Sequence, residues 1–315
     1  MLTKLAHVSY VLSTEEQAAN LGADFEFLFS PLSEPTNWAI FMSGLAAIAG
    51  LVLIGNKLSV IKDRIRFFRG RARSYHEYIP LILRLSVGIA LIGAASHQVF
   101  ISPAVDTNSS IALVEMILGC LLILGLALTP TTLITLSLGV VGLILHPELV
   151  DNLEFISTTL AILLLAQAKP SLDDLLGLTM FSPPEKVRAW VPLVLRLGLG
   201  LGLIIMAIMD KLLNPHLFGE VVEQYALSTY LPLSTAMWVL SATIIEFLLG
   251  LALILGYHVR VVSVLTVATL GLSFFLFGEE VFAHVTIFGT LLVLIITGAG
   301  RLSIDSHFSK SHSQS

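Results

Sequence analysis

The chain has 315 residues, 56% of them hydrophobic and 12% charged, with a formal net charge of -5 and a mean hydropathy of +0.90. This composition excludes an ordinary soluble globular domain and a nucleic-acid-binding surface, and it is that of a polytopic membrane protein. Its single cysteine, Cys120, excludes an intrachain disulfide and a dithiol relay within one chain.

In chain order, the opening residues 1–12 lack the pattern of a cleaved signal peptide and are expected to be mature sequence. Ser13 to Glu16 fits a capping box opening a short amphipathic helix. The tail 1–37 carries Glu15, Glu16, Asp24, Glu26 and Glu34 against Lys4 alone, which places it outside the cell. An extra span at 38–54 is followed by the basic segment 57–73, KLSVIKDRIRFFRGRAR, which belongs on the cytoplasmic side. Leu58, Ile61, Ile65 and Phe68 recur at helical spacing, so this segment either lies on the anionic inner leaflet as an amphipathic helix or is a solvated loop. Further apolar spans are expected at 80–98, 108–128, 131–146, 153–168, 191–209, 236–256, 261–277 and 284–299. That makes about nine, with the N-terminus out and the tail 306–315 in.

The chain also repeats itself. VEMILGCLLILG at 114–125 matches IEFLLGLALILG at 245–256, which aligns Glu115 with Glu246, Gly119 with Gly250 and Gly125 with Gly256. Pro80 and Arg84 match Pro192 and Arg196, Glu148 matches Glu280, and Asp173 matches Asp305. The expected fold is therefore all-α: two tandem four-helix transmembrane bundles, at 80–174 and 191–305, related by a pseudo-twofold axis along the membrane normal. The second copy has an insertion at 214–235 containing a short amphipathic helix, FGEVVEQYAL, before the Leu231-Pro232 break.

The candidate chemistry lies in carboxylates within these spans. An acidic residue at the centre of a membrane helix costs about 2.5–3.5 kcal/mol on insertion scales and needs a partner, cavity or ligand. Glu115 and Glu246 are the principal candidates; each has a glycine four residues on, so each can equally clip two helices together. Asp210 and Lys211 end one span nearby. Glu280 and His284, spaced i, i+4, can hold a metal or pass a proton if that stretch is helical, or stand in water at the membrane surface. The aligned positions in the first copy hold Gln98, Glu148 and Asn152. Arg84 and Arg196 read as anchors snorkelling to lipid phosphate or as part of an anionic site. Gly198, Gly200 and Gly202 form a helix-packing surface rather than a nucleotide loop.

Residues 191–305 resemble the DoxX/DoxD family of small four-span prokaryotic membrane proteins. The resemblance rests on RLGLG, DKLLNP at 210–215, the Leu231-Pro232 break, Glu246 with Gly250 and Gly256, and GAGRLSID at 298–305. The first copy departs from it, with SHQVFISP for DKLLNP, and the extra span is not covered. The resemblance implies a multi-pass protein of a prokaryotic cell membrane, associated with a redox system such as thiosulfate:quinone oxidoreductase and with partner subunits. It also implies a quinone at Glu246, and by repetition Glu115, with Asp210, Lys211, Arg196 and Arg84 as cofactor-binding candidates. No haem, flavin, nucleotide or iron–sulfur motif is present in the sequence. Two other readings stay open: a structural or assembly subunit of a larger membrane enzyme, and a carrier for a small solute or proton.

Overall fold

The computed structural model describes residues 12–35, 37–39, 70, 74–165, 169–178, 183–277 and 281–306. Nearly all of the expected extra span and basic segment, together with Glu280 and most of the C-terminal tail, lie outside the described residues.

The chain opens with α1 (Thr14–Ala19) and α2 (Phe25–Phe29). The capping box forms as expected: the Ser13 hydroxyl accepts from the Glu16 N–H, and Glu16 accepts from the Ser13 N–H. Helix α3 (Ile79–Ser96) leads into a short antiparallel hairpin, β1 (Val99–Phe100) and β2 (Ser102–Asp106). This hairpin is the one non-helical element among the described residues, and it stands where an all-α reading places only a loop. There follow α4 (Ser109–Leu124), α5 (Leu128–Leu145), a 3₁₀ turn at Pro147–Asn152 and α6 (Leu153–Leu165). Two one-turn helices, α7 (Leu172–Leu175) and α8 (Glu185–Arg188), precede α9 (Val191–Met206), which runs into a π-helical segment at Ala207–Leu212. The rest comprises α10 (Pro215–Gln224), α11 (Thr235–Leu255), α12 (Val259–Phe277) and α13 (Val281–Thr297). Five helices among the described residues are long and apolar enough to cross a membrane, and α4 and most of α13 form shorter apolar helices.

The long helices do not sort into two separate bundles. Helix α4 packs on α3 and α11 on α9, but α6 packs chiefly on α9, and α13 chiefly on α3. The four helices α3, α6, α9 and α13 thus interlock, and one apolar core runs through them all, from Leu83 and Leu91 to Leu199, Leu291 and Leu294. Between α6 and α13 the Thr158 and Thr290 hydroxyls hydrogen-bond each other at 2.7 Å, both fully buried.

Matching contacts recur in the two halves. Helices α3 and α4 approach so closely that a Cβ on Gly119 would stand 2.7 Å from the Gly88 carbonyl oxygen; one on Gly250 would stand 2.6 Å from that of Gly200, between α9 and α11. Small residues allow such backbone approach within a membrane, where packing rather than hydrophobic exclusion drives helix association. Helices α4 and α11 both end at a left-handed glycine, Gly125 and Gly256, whose successor donates back five residues to close the helix end.

The N-terminal segment is docked rather than free. Leu12 packs with Leu217 and Val221, Leu28 with Val239 and Leu240, and Gly22 N–H donates to Asn214 Oδ1 at 2.9 Å.

Replacing Gly250 by alanine is expected to destabilise the fold by about 1–3 kcal/mol, because the added methyl meets backbone that cannot move without parting two helices. Gly271→Ala, with nothing within 4 Å of the new Cβ, is the matched control and is expected to melt no lower than wild type. Thermal unfolding in nanodiscs reads both.

Candidate functional site

Asp210 and Lys211 are neighbours in sequence, and an α-helix would turn them about 100° apart. The π segment changes this. Leu213 N–H donates to Ile208 O, five residues back, at 2.8 Å, and the Asn214 side chain donates to Met209 O at 2.6 Å. The widened turn leaves both Asp210 and Lys211 inside the protein, 2% and 4% exposed. Segments of this kind are enriched at functional sites. The spacing of apolar residues along the span carries no signal for one.

Lys211 Nζ donates to Glu246 Oε2 at 2.8 Å, so the mid-helix carboxylate of α11 is answered by an ammonium from the end of α9. The same ammonium lies 4.9 Å from the centroid of the Phe218 ring on α10. Phe218 also packs against the clusters containing Leu12 and Leu28, so the docked N-terminal segment helps cover the pair. Asp210 has Asp151, Lys211 and Glu246 as electrostatic neighbours, and its Oδ1 has no hydrogen-bond partner. An orphaned buried carboxylate oxygen beside an ion pair is costly, and it marks a place where a further group can bind or a proton can sit.

Sequence reasoning missed two acidic members of this neighbourhood. Asp151 and Glu154, at the head of α6, are 1% and 3% exposed, and the Asn152 side chain lies at the Glu154 carboxyl. They lie against α9 at Gly202, where a Cβ would stand 3.3 Å from Asp151 O and 3.6 Å from Glu154 Oε2; the closest packing of this crossing is one turn earlier, where a Cβ on Gly198 would meet the Ser157 side chain. The usable signal was the carboxylate of Glu154 within an apolar run, read only as a span start.

The other expected residues are dispersed. Glu115 is fully buried, but its Oε1 accepts the Ile101 N–H at 3.0 Å, where Ile101 holds a φ of +60° at the hairpin turn. Arg84 and Arg196 neither reach toward lipid phosphate nor join Asp210; both are fully buried. Arg196 donates to the carbonyls of Leu253, Ile254, Arg301 and Leu302 at 2.9–3.2 Å, and Arg84 donates to Pro170 O at 2.6 Å. Unsatisfied carbonyls at a helix end satisfy a guanidinium more cheaply than a long reach to the headgroups. Asp173 and Asp305, at that same end, accept backbone N–H groups that open α5 and α12. His284 is buried among Phe274 and Phe288, while Glu280 lies outside the described residues. Among the described residues no group of three His, Cys, Asp or Glu is placed to hold a metal ion.

Residues 191–279 match the DoxX family model. That stretch contains Asp210, Lys211 and Glu246, and the apolar helices agree with a multi-pass membrane protein. No curated protein and no solved structure matches the chain.

At the covering segment, Asp24 accepts the Phe27 N–H at 2.8 Å and pairs with His216 Nε2 at 3.0 Å. The Phe27 N–H first, then His216, hold its carboxyl below the usual aspartate range. A carboxyl lowered on folding stabilises the docked state fully above its unfolded pKa of about 4, and that contribution is lost as pH falls through the folded value. A nitroxide on Glu26→Cys, in a Cys120→Ser background, is therefore expected to be immobile at neutral pH and to loosen below about pH 4. Asp24→Ala is expected to loosen it already at neutral pH.

Proposed function

We propose that this chain is a multi-pass membrane protein of DoxX type built from two tandem four-helix copies and one N-terminal span, nine in all, with the N-terminus outside and the Asp210 end of α9 facing outward. Its place is a prokaryotic cell membrane, and its role is in a redox system, where Asp210, Lys211 and Glu246 receive the head group of a quinone. The basic segment 57–73 then rests on the inner leaflet, and a partner subunit supplies the electrons, since the sequence carries no motif for a redox cofactor of its own.

The observation that supports this reading is the buried Lys211–Glu246 pair beside the orphaned Asp210 oxygen. A quinone supplies carbonyl oxygens that take up electrons and protons. Lys211, with two further N–H groups beyond the one given to Glu246, would hold such an oxygen through a charge-assisted hydrogen bond. Glu246 keeps the ammonium in place, and Asp210 is the group at hand to exchange a proton. Glu246 is 9% exposed and thus is the open edge of the set, while Phe218 and the docked N-terminal segment keep water from the other side. In the first copy one Glu115 oxygen accepts the Ile101 N–H, a neutral backbone donor, and the other has no hydrogen-bond partner; the charged Lys211 donor of the second copy supports placing the quinone there.

Quinone binding to the protein in lipid nanodiscs is the test. Glu246→Gln and Lys211→Met are each expected to weaken binding by roughly tenfold or more, the equivalent of one charge-assisted hydrogen bond. Glu115→Gln is expected to lower the melting temperature and leave affinity unchanged. Equal binding by wild type, Glu246→Gln and Lys211→Met would remove the quinone reading and leave the pair as a clip between helices, as in an assembly subunit.

A further inference from the structure

The acidic groups around Asp210 come from both halves of the chain. The π segment brings Asp210 and Lys211, α11 brings Glu246, and the head of α6, from the other half, brings Asp151 and Glu154. The 3₁₀ turn and α6 reach this position only because α6 packs on α9 across the interlock, with Gly198 and Gly202 left bare on the face that receives it. The result is four carboxyl groups and one ammonium, all at most 9% exposed. A buried set of this composition must balance its charge with protons or cations, because unpaired ions removed from water are strongly disfavoured. Lys211 supplies one positive charge to the set, and the carboxyl groups can take up protons for the rest.

Two observations separate this set from an ordinary acidic cluster. The Asp210 side chain, 2% exposed and with Asp151, Lys211 and Glu246 as its charged neighbours, has no hydrogen-bond partner at Oδ1, so a position for a proton or a hydrogen-bond donor stands open there. The matching helix crossing, α13 on α3, is built without these acids. The positions aligned with Asp151 and Glu154 are Ala283 and Thr286, and Ala90 stands where α9 has Gly202. The interlock therefore forms without carboxylates, and their presence on one side only calls for a chemical role.

We propose that Asp151 and Glu154 are the proton-exchanging arm of the Asp210–Lys211–Glu246 site, supplied across the interlock by the first half of the chain. The proposal deepens the quinone reading and rests on it for the fate of the proton, but not for the existence of the arm. In the exchange, the O–H bond of the Asp151 carboxyl breaks as an O–H bond forms on Asp210, and the Glu154 carboxyl, which adjoins Asp151, gives its proton in turn to Asp151. The negative charge moves back to the donor, which is refilled by a proton from the adjoining aqueous side. Asp210 faces Asp151, Lys211 and Glu246, and Glu154 adjoins Asp151. Asp151 and Glu154 touch no ligand in this scheme and act through Asp210.

Infrared titration of the carboxyl bands, in nanodiscs without quinone, tests the arm. The band lost in Asp210→Asn identifies Asp210. Glu154→Gln and Asp151→Asn are each expected to shift the midpoint of that band by about one pH unit or more, a tenfold change in proton affinity. Glu154→Asp, which keeps the carboxyl, is expected to restore the wild-type midpoint. An unmoved Asp210 band in both Glu154→Gln and Asp151→Asn, with wild-type melting, overturns the proposal. If Glu154→Gln does not fold, Asp151→Asn alone decides between the same two outcomes. Quinone affinity, measured in parallel, separates the two claims. A shifted Asp210 band in a protein that binds no quinone keeps the arm and removes the quinone. Quinone binding that depends on Glu246, with an unshifted Asp210 band, keeps the quinone and removes the arm.

Discussion

A carboxylate halfway along an apolar helix has to be answered by another group inside the protein, and the two halves of this chain answer it differently. Glu246 meets the ammonium of Lys211 at 2.8 Å, and Glu115 meets a backbone N–H held in place by a tight hairpin. The second solution is plainer: one neutral backbone donor on Oε1, held by the hairpin, with Oε2 left without a hydrogen-bond partner. The first keeps a mobile charge, further donors and an adjoining carboxyl. Nearly identical helices thus end as a fastening in one half and as a polar site in the other.

That difference depends on how the helices interlock. If each half had closed on itself, α6 would face α3, and Asp151 and Glu154 would lie away from Asp210. Because α6 crosses to α9, the acids of the first half are added to the charges of the second. The crossing is held by contacts that carry little chemistry of their own: Ser157 seated on Gly198, Ser86 seated on Gly289, and the Thr158–Thr290 hydrogen bond between the two crossing helices. The opposite end of the structure is tied by Arg84, Arg196, Asp173 and Asp305, each hydrogen-bonded to backbone. Rigid turns at one end leave the polar set at the other as the place where binding or proton movement can occur.

Much of the architecture was legible along the chain. The long helices fall close to the apolar runs because a span must satisfy its backbone internally and therefore declares itself by length and hydropathy. The Ser13–Glu16 cap and the short helix of the insertion, read at FGEVVEQYAL and formed at 215–224, were legible because each is decided by neighbours in sequence. The importance of Glu246, and its need for a partner, was legible from cost alone. The buried fate of Arg84 and Arg196 was not, since a basic residue near a span end reads the same whether it turns outward to lipid or inward to carbonyls.

What the sequence by itself determined, then, is a set of apolar helices with a few polar residues too expensive to leave alone, and a stretch that matches the DoxX family. Only the tertiary structure decided which groups relieve that cost. The π segment that leaves both Asp210 and Lys211 buried depends on backbone hydrogen bonds shifted by one residue, which leave no mark on hydropathy. The arrival of Asp151 and Glu154 depends on a helix crossing between segments more than forty residues apart, permitted by the missing side chain of Gly198, where a Cβ would meet Ser157. Periodicity reports which face of a helix is buried; which other helix covers that face is set by packing over the whole chain.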